Sequence, residues 1–263
     1  MEKVIVINRK RNIRDIAYLV GADGRHIKKG CLVRGRQLND IAPRDKRVLE
    51  SFHFDNVFDF RDPQEIKSRP DQRLASATYH KMSPLSLERP ALASSKRASN
   101  EDNLLCMLTG KVDGSKYMKR FYRALIEKES TRLAYRGFFR IIMEKPASKA
   151  YWHCSQGKDR AGLAAFFLEY ALGVSLKDCL FDYLYSAVAM NIRKRELEPY
   201  AFLKAPFGKK KEAVGIVEDL FSVREDYIGE ALKAIDESFG GLDAYLENEL
   251  KVDVEKLRKS YLV

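Results

Sequence analysis

Two rhythms of apolar residues divide this chain. In the N-terminal third the apolar residues come in short runs broken by turn residues, the pattern of extended segments. Asn12-Ile13-Arg14-Asp15 precedes a turn at Gly21-Ala22-Asp23-Gly24, and Asn56-Val57-Phe58-Asp59-Phe60 reads as a strand stopped by Arg61-Asp62-Pro63. Ile41 to Phe52 has helical spacing with Pro43 near its start, where proline is tolerated. A further strand is expected from Ser76 to Leu85, then a mobile polar loop at Ser94 to Asn100. Beyond it apolar positions recur three or four apart. Tyr117/Met118, Phe121/Tyr122 and Leu125/Ile126 predict one helix and Leu133 through Ile142 another. Leu180/Phe181, Leu184/Tyr185 and Val188 predict a third. Near the C-terminus Ile228, Leu232 and Ile235 sit at core spacing before Gly240-Gly241, and Asp253 is placed to cap a last helix carrying Leu257 and Tyr261. Together these predict an α/β fold: a central, mostly parallel sheet with helices on both faces, helical insertions between 103 and 145, and a single domain over 1–263.

One stretch changes character within a few residues. Tyr151-Trp152-His153 ends an apolar, strand-prone run, a polar turn follows, and Leu163-Ala164-Ala165-Phe166-Phe167-Leu168 is apolar around most of a helix. Strand, loop and buried helix in that order leave backbone N–H groups and the positive end of a helix dipole facing outward, which makes an anion site. Into the loop the chain puts Cys154 and, six positions on, Arg160. A thiol is nucleophilic as thiolate, and a helix N-terminus with neighbouring cations favours that form. Cys154 is therefore expected to attack phosphorus. Arg160 and the amides of Ser155, Gln156, Gly157 and Lys158 would hold the equatorial oxygens. Gly157 lets the backbone turn without a Cβ. Asp59 and Arg61, at the end of an earlier strand, would approach the same sheet edge; they form either part of the chemistry or a salt bridge that holds the loop.

His153-Cys154-Ser155-Gln156-Gly157-Lys158-Asp159-Arg160-Ala161-Gly162 resembles the loop of a bacterial family of tyrosine and dual-specificity phosphatases, of the mycobacterial protein-tyrosine phosphatase B type. Asn12 to Ile16, Asp23 to Arg25, Leu32 to Arg34, Val57 to Arg61 with Glu65 and Pro70-Asp71, and Phe239 to Leu246 agree with it too. Residues 83–149 and 187–230 carry no matching motif, so the resemblance covers about half the chain. It implies a cysteine-phosphatase fold and a metal-independent phosphomonoester hydrolase without a cofactor. Phosphotyrosine is the implied substrate, with phosphoserine/threonine and phosphoinositides beside it. Asp159 is the first choice for general acid and Asp59 the second; the plain reading has Asp159 pointing outward to a basic neighbour. Lys158 meets a second phosphate or is simply solvated, and His153 orients the loop. The sequence departs from the family at Ala161, where Thr or Ser commonly offers a hydroxyl to the cysteine sulfur.

Composition narrows the partners. Forty-eight Lys+Arg against thirty-seven Asp+Glu give a net charge of +11, which attracts polyanions. No nucleic-acid-binding motif accompanies the charge, so phosphoproteins, phosphoinositides or peripheral contact with anionic lipid are the expected partners. The basic excursion at about 190–211 interleaves Tyr200, Phe202 and Phe207 with lysines and is broken by Pro199 and Pro206; it is either a solvated loop or a lid over the substrate. Cys31, Cys106, Cys154 and Cys179 are scattered, which indicates neither disulfides nor a structural zinc site. With no run of membrane-span length and no secretory segment, a cytoplasmic location is expected, signal-less export remaining open. Two rivals stand: a phosphate-binding pseudophosphatase, and a rhodanese-like sulfur transferase, against which Lys158, Asp159 and Arg160 argue.

Overall fold

The computed structural model describes residues 4–83, 113–205 and 208–263. One six-stranded sheet has the order β1-β2-β3-β6-β4-β5. Its strands are β1 (Ile5–Asn8), β2 (Ile13–Asp15), β3 (Leu32–Arg36), β4 (Asn56–Asp59), β5 (Thr78–Lys81) and β6 (Ala150–Cys154). The first three are antiparallel neighbours, whereas β3, β6, β4 and β5 run parallel. The helices are α1 (Pro43–Glu50), α2 (Pro63–Ser68), α3 (Gly114–Glu127), α4 (Glu129–Glu144), α5 (Arg160–Ala171), α6 (Leu176–Tyr185), α7 (Ala187–Lys204), α8 (Lys210–Phe221), α9 (Glu225–Phe239) and α10 (Val254–Tyr261). A short helical turn at Leu242–Ala244 continues into a π-helical one at Tyr245–Glu249.

Alternation along the strands sorts the core into two layers. Val33, Val57 and Tyr151 face Leu49 of α1 with Leu38, Ile41 and Leu74. Leu32, Phe58 and Trp152 face the other way, into a larger cluster with Phe121 and Tyr122 of α3, Phe138 of α4 and Phe166 of α5. Helix α5 is buried on almost every side, as its all-round apolar sequence requires. The sheet is therefore covered on both faces, and β6, hydrogen-bonded to β3 and β4, lies at its centre with every residue buried. Asp253 caps α10 by accepting from the Lys256 amide, and Gly240 closes α9 in the left-handed region at φ +75°.

Several expectations need correction. Asp62-Pro63 ends β4 but also begins α2: Pro63 takes the first helical position, the Asp62 carboxylate accepts from the Gln64 and Glu65 amides, and Glu65 accepts from the Asp62 amide. The helix expected through Val188 is split at Ser186 between α6 and α7. The basic excursion is a helical hairpin, with Pro199 inside α7. The acceptor freed by that proline belongs to exposed Arg195, where water can satisfy it, and Leu197, Ala201 and Ala205 pack on Ala213, Ile216 and Val217 of α8. Strand β5 is shorter than 76–85. The loop expected at Ser94–Asn100, the insertion from 103 to 112, and Pro206 and Phe207 lie outside the described residues.

Candidate active site

Cys154 ends β6, and the loop Ser155–Asp159 carries the chain into α5 at Arg160. The loop is shaped by one tight contact. Gly157 has φ +72°, and a Cβ there would lie 2.3 Å from the Gly35 carbonyl oxygen of β3. Glycine is needed for both reasons. The Gly157 carbonyl accepts from Asn12 Nδ2 at 3.1 Å and from a terminal nitrogen of Arg34 at 3.0 Å. Behind the loop, Tyr135 donates to the Arg160 carbonyl and Trp152 Nε1 to that of Ala161. Cys154 and Ala161 are buried, Cys154 at 2% exposure.

Arg160 is held by a residue of α2, the helix that follows β4. Its two terminal nitrogens donate to the two carboxylate oxygens of Glu65, at 2.6 and 3.0 Å. Glu65 also accepts from the Ser155 hydroxyl and, at 2.9 Å, from the Asp62 amide. Burial alone would raise the Glu65 pKa, but Arg160 and these donors pull it down to about 2. Burial disfavours the Arg160 charge, but Glu65, with Cys154 and Asp159, outweighs it, so that pKa is raised. The α2 cap thus serves the site, since the carboxylate that closes the first turn of α2 also fixes the fork of Arg160.

The remaining candidates fall into two groups. At the start of α5, Asp159 accepts from Tyr122 at 2.8 Å and lies 3.3 Å from the Lys158 ammonium. Lys158 itself is buried and donates to the Ser222 carbonyl at 2.9 Å. Lys158 is therefore not a solvated lysine: a carbonyl and a carboxylate at the loop's flank take two of its three donors. Gln156 is buried, its Oε1 without a partner among the described residues. Below the loop, Asp59 accepts from the Arg61 amide at 3.0 Å and from its guanidinium. A terminal nitrogen of Arg61 also reaches Asp71 at 2.9 Å, and Asp71 lies 3.1 Å from His153 Nε2. The burial of Asp71 is outweighed by His153 and Arg61, which hold its pKa below the ordinary value. Asp59 and Arg61 are therefore ion-paired, as one of the two readings expects. Asp59, Asp71 and His153 also stand close enough together to share a metal ion, but Arg61 donates to both carboxylates and supplies their countercharge.

A second buried network, which sequence reasoning missed, supports the loop from β2 and β3. Asp182 of α6 accepts from Arg14 Nε at 2.6 Å, from Tyr18 at 2.6 Å and from Arg34. Arg14 also donates to Asn12 Oδ1, so both residues that reach the Gly157 carbonyl are held from behind. Asp182 is fully buried, yet Arg14 and Arg34 keep its pKa well below normal. Glu169 of α5 lies in the same layer, and burial followed by Asp182 raises its pKa well above the carboxylate range.

A cysteine at a helix N-terminus, a clamped arginine six residues on and a loop of amides form an arrangement suited to attack on a phosphate ester, holding three oxygens as charge develops. The sequence profile of the tyrosine phosphatase family matches residues 5–263. The chain belongs to that family. This phosphatase is 31% identical over 256 residues to a presumptive tyrosine-protein phosphatase of Cupriavidus necator, covering 95% of this chain and 85% of the relative. It is 25% identical over 269 residues to the triple specificity protein phosphatase PtpB of Mycobacterium tuberculosis, covering 90% of each. Glu65 was named for its resemblance but not for its clamp on Arg160; its cap had a legible signal, since Asp62-Pro63-Gln64-Glu65 is a capping-box sequence. Tyr122 and Asp182 had none, both sitting at ordinary core spacing.

Proposed function

We propose that this phosphatase hydrolyses phosphomonoesters through a cysteinyl-phosphate on Cys154. The single observation that carries the reading is the Glu65 clamp on Arg160, which fixes the guanidinium beside the cysteine loop and gives it a structural reason to be buried there. In the first step Cys154 attacks phosphorus, Arg160 and the amides of Ser155, Gln156, Gly157 and Lys158 bind the equatorial oxygens, and the ester oxygen departs with a proton. Asp159 is the donor of that proton, positioned by Tyr122; Asp59 is second, its oxygens engaged by Arg61. In the second step water releases phosphate, and the thiolate leaves without a hydroxyl from Ala161. His153 with Asp71, and Arg61 with Asp59, hold the strand end below the loop.

The substrates of this reading are phosphotyrosine proteins, with phosphoserine/threonine and phosphoinositides beside them, consistent with the triple specificity in the name of the mycobacterial relative. Exposed Tyr200, Phe202 and Leu203 lie near the end of α7, with Lys204 and Lys210 within 5.9 and 4.6 Å of the Tyr200 and Phe202 ring centres. Aromatic and basic side chains together favour peripheral contact with anionic lipid. Release of nitrophenol from 4-nitrophenyl phosphate with EDTA present tests the chemistry. Wild type should turn over and Cys154→Ser should not, while the variant still binds phosphate. Turnover that survives Cys154→Ser refutes the intermediate; phosphate binding by a wild type without turnover identifies a pseudophosphatase.

A further inference from the structure

Beside the nucleophile's strand, β3 ends on a buried cation that has little to hold. Arg36 pairs in register with Cys154, and a Cβ on Gly157 would come 3.0 Å from the Arg36 amide nitrogen. The residue therefore borders the catalytic loop. Its side chain is 10% exposed, and Asp40, its ion-pair partner among the described residues, is 3.9 Å away. Its Nε is buried without an acceptor among the described residues, and the same holds for Nε of Arg11 and of Arg193, although the terminal nitrogens of Arg11 donate to the Gln37 and Asp40 carbonyls at 2.6 and 3.2 Å. The acids nearby are engaged: Asp40 accepts from Arg11 at 2.7 Å, and Glu196 pairs with Lys10 and Arg193 at 2.8 and 2.9 Å. Burial, with repulsion from Arg193 and Arg11, brings the Arg36 pKa down to about 10, so it stays charged at neutral pH.

Buried guanidinium donors without acceptors are costly unless something supplies the oxygens, and a phosphate group supplies several in a geometry that arginine forks match. Lys158, the loop residue the sequence offers for such a role, already donates to the Ser222 carbonyl. We propose that Arg36, with Arg11 and Arg193, forms a second anion subsite that binds a second phosphate of a substrate whose first phosphate is at Cys154. The substrate class is a small molecule with two phosphate monoesters close together, such as a ring bisphosphate, because a subsite so buried and so near the loop admits a compact group. The proposal rests on the phosphatase reading above.

The test compares kcat/KM for 4-nitrophenyl phosphate, an inositol monophosphate and vicinal inositol bisphosphates in wild type, Arg36→Met and Arg36→Lys. Wild type should prefer bisphosphate over monophosphate by about tenfold or more, the worth of one charge-assisted hydrogen bond. Arg36→Met should abolish the preference and Arg36→Lys should retain part of it. Equal values for the two inositol substrates in an enzyme active on nitrophenyl phosphate overturn the subsite and leave the phosphatase reading standing. An enzyme inactive on every substrate overturns that reading; calorimetric titration with the bisphosphate then decides the subsite, which requires tighter binding than the monophosphate and loss of that margin in Arg36→Met. A stronger preference for doubly phosphorylated peptides overturns the assigned class. Thermal unfolding without ligand separates binding from structure: losing a poorly compensated buried charge should not lower the Tm, and a marked fall would make Arg36 a structural residue and overturn the proposal.

Discussion

Glu65→Gln keeps the size of the side chain and one carbonyl acceptor while removing the charge that faces Arg160. Glu65 is held at a pKa of about 2 against an ordinary 4.5, and that difference corresponds to about 3 kcal/mol of folding stability. The side chain is 16% exposed, so solvent screening removes little of it. The pH window follows from the sign of the shift. A depressed carboxylate stabilises fully above its unfolded pKa of 4.5, and its contribution is lost as pH falls toward 2. The stability gap between wild type and Glu65→Gln should therefore be widest near pH 6 and shrink by about 2 kcal/mol by pH 3. Urea unfolding at a series of pH values reads this directly, because contributions common to both proteins cancel. Parallel stability curves for the two proteins between pH 6 and 3 would refute the reasoning and make the carboxylate a spectator. On the enzyme itself the same variant should lower kcat on aryl phosphates, since Arg160 loses its fixed orientation.

Asp159→Asn should slow alkyl phosphates far more than aryl phosphates, since the poorer leaving group needs the proton more; a series of leaving groups checks this, and the same pattern in Asp59→Asn instead would reassign the acid. Rapid mixing of wild type with 4-nitrophenyl phosphate should give a burst near one equivalent. Ala161→Ser, which adds only an oxygen in a fully buried position, should shrink that burst and speed thiolate departure by roughly 1.5–3 kcal/mol of barrier. Gly157→Ala should abolish phosphate binding, because the Cβ meets the Gly35 carbonyl at 2.3 Å in a left-handed backbone; calorimetry with inorganic phosphate measures it.

The sheet centre, the cysteine loop and the helix behind it were legible because each is encoded locally: an apolar strand, a glycine-bearing turn, an all-apolar helix. Asp253 and Gly240 marked helix ends for the same reason. Charge pairs between near neighbours, Asp59 with Arg61 and Lys158 with Asp159, were legible, whereas burial and long-range pairing were not. A lysine in a polar loop reads as solvated, whereas Lys158 is buried because a carbonyl at the end of α8 lies within reach. Glu65 is 95 positions from the arginine it clamps, and Arg14 and Arg34 lie 168 and 148 positions from Asp182; no periodicity carries such a pairing. Pro199 misled in the opposite direction, since a local rule against mid-helix proline was outweighed by packing of α7 on α8.

The Gly157 peptide joins three stretches of chain at one point: its carbonyl is gripped by Asn12 and Arg34, and its α-carbon rests on Gly35. The cradle is thus a long-range product that no excised strand–loop–helix fragment can hold. In refolding, phosphate affinity should return only when the N-terminal strands have docked onto β6, later than the helical signal of α4 and α5. Recovery of activity in this enzyme is a clock for closure of the sheet.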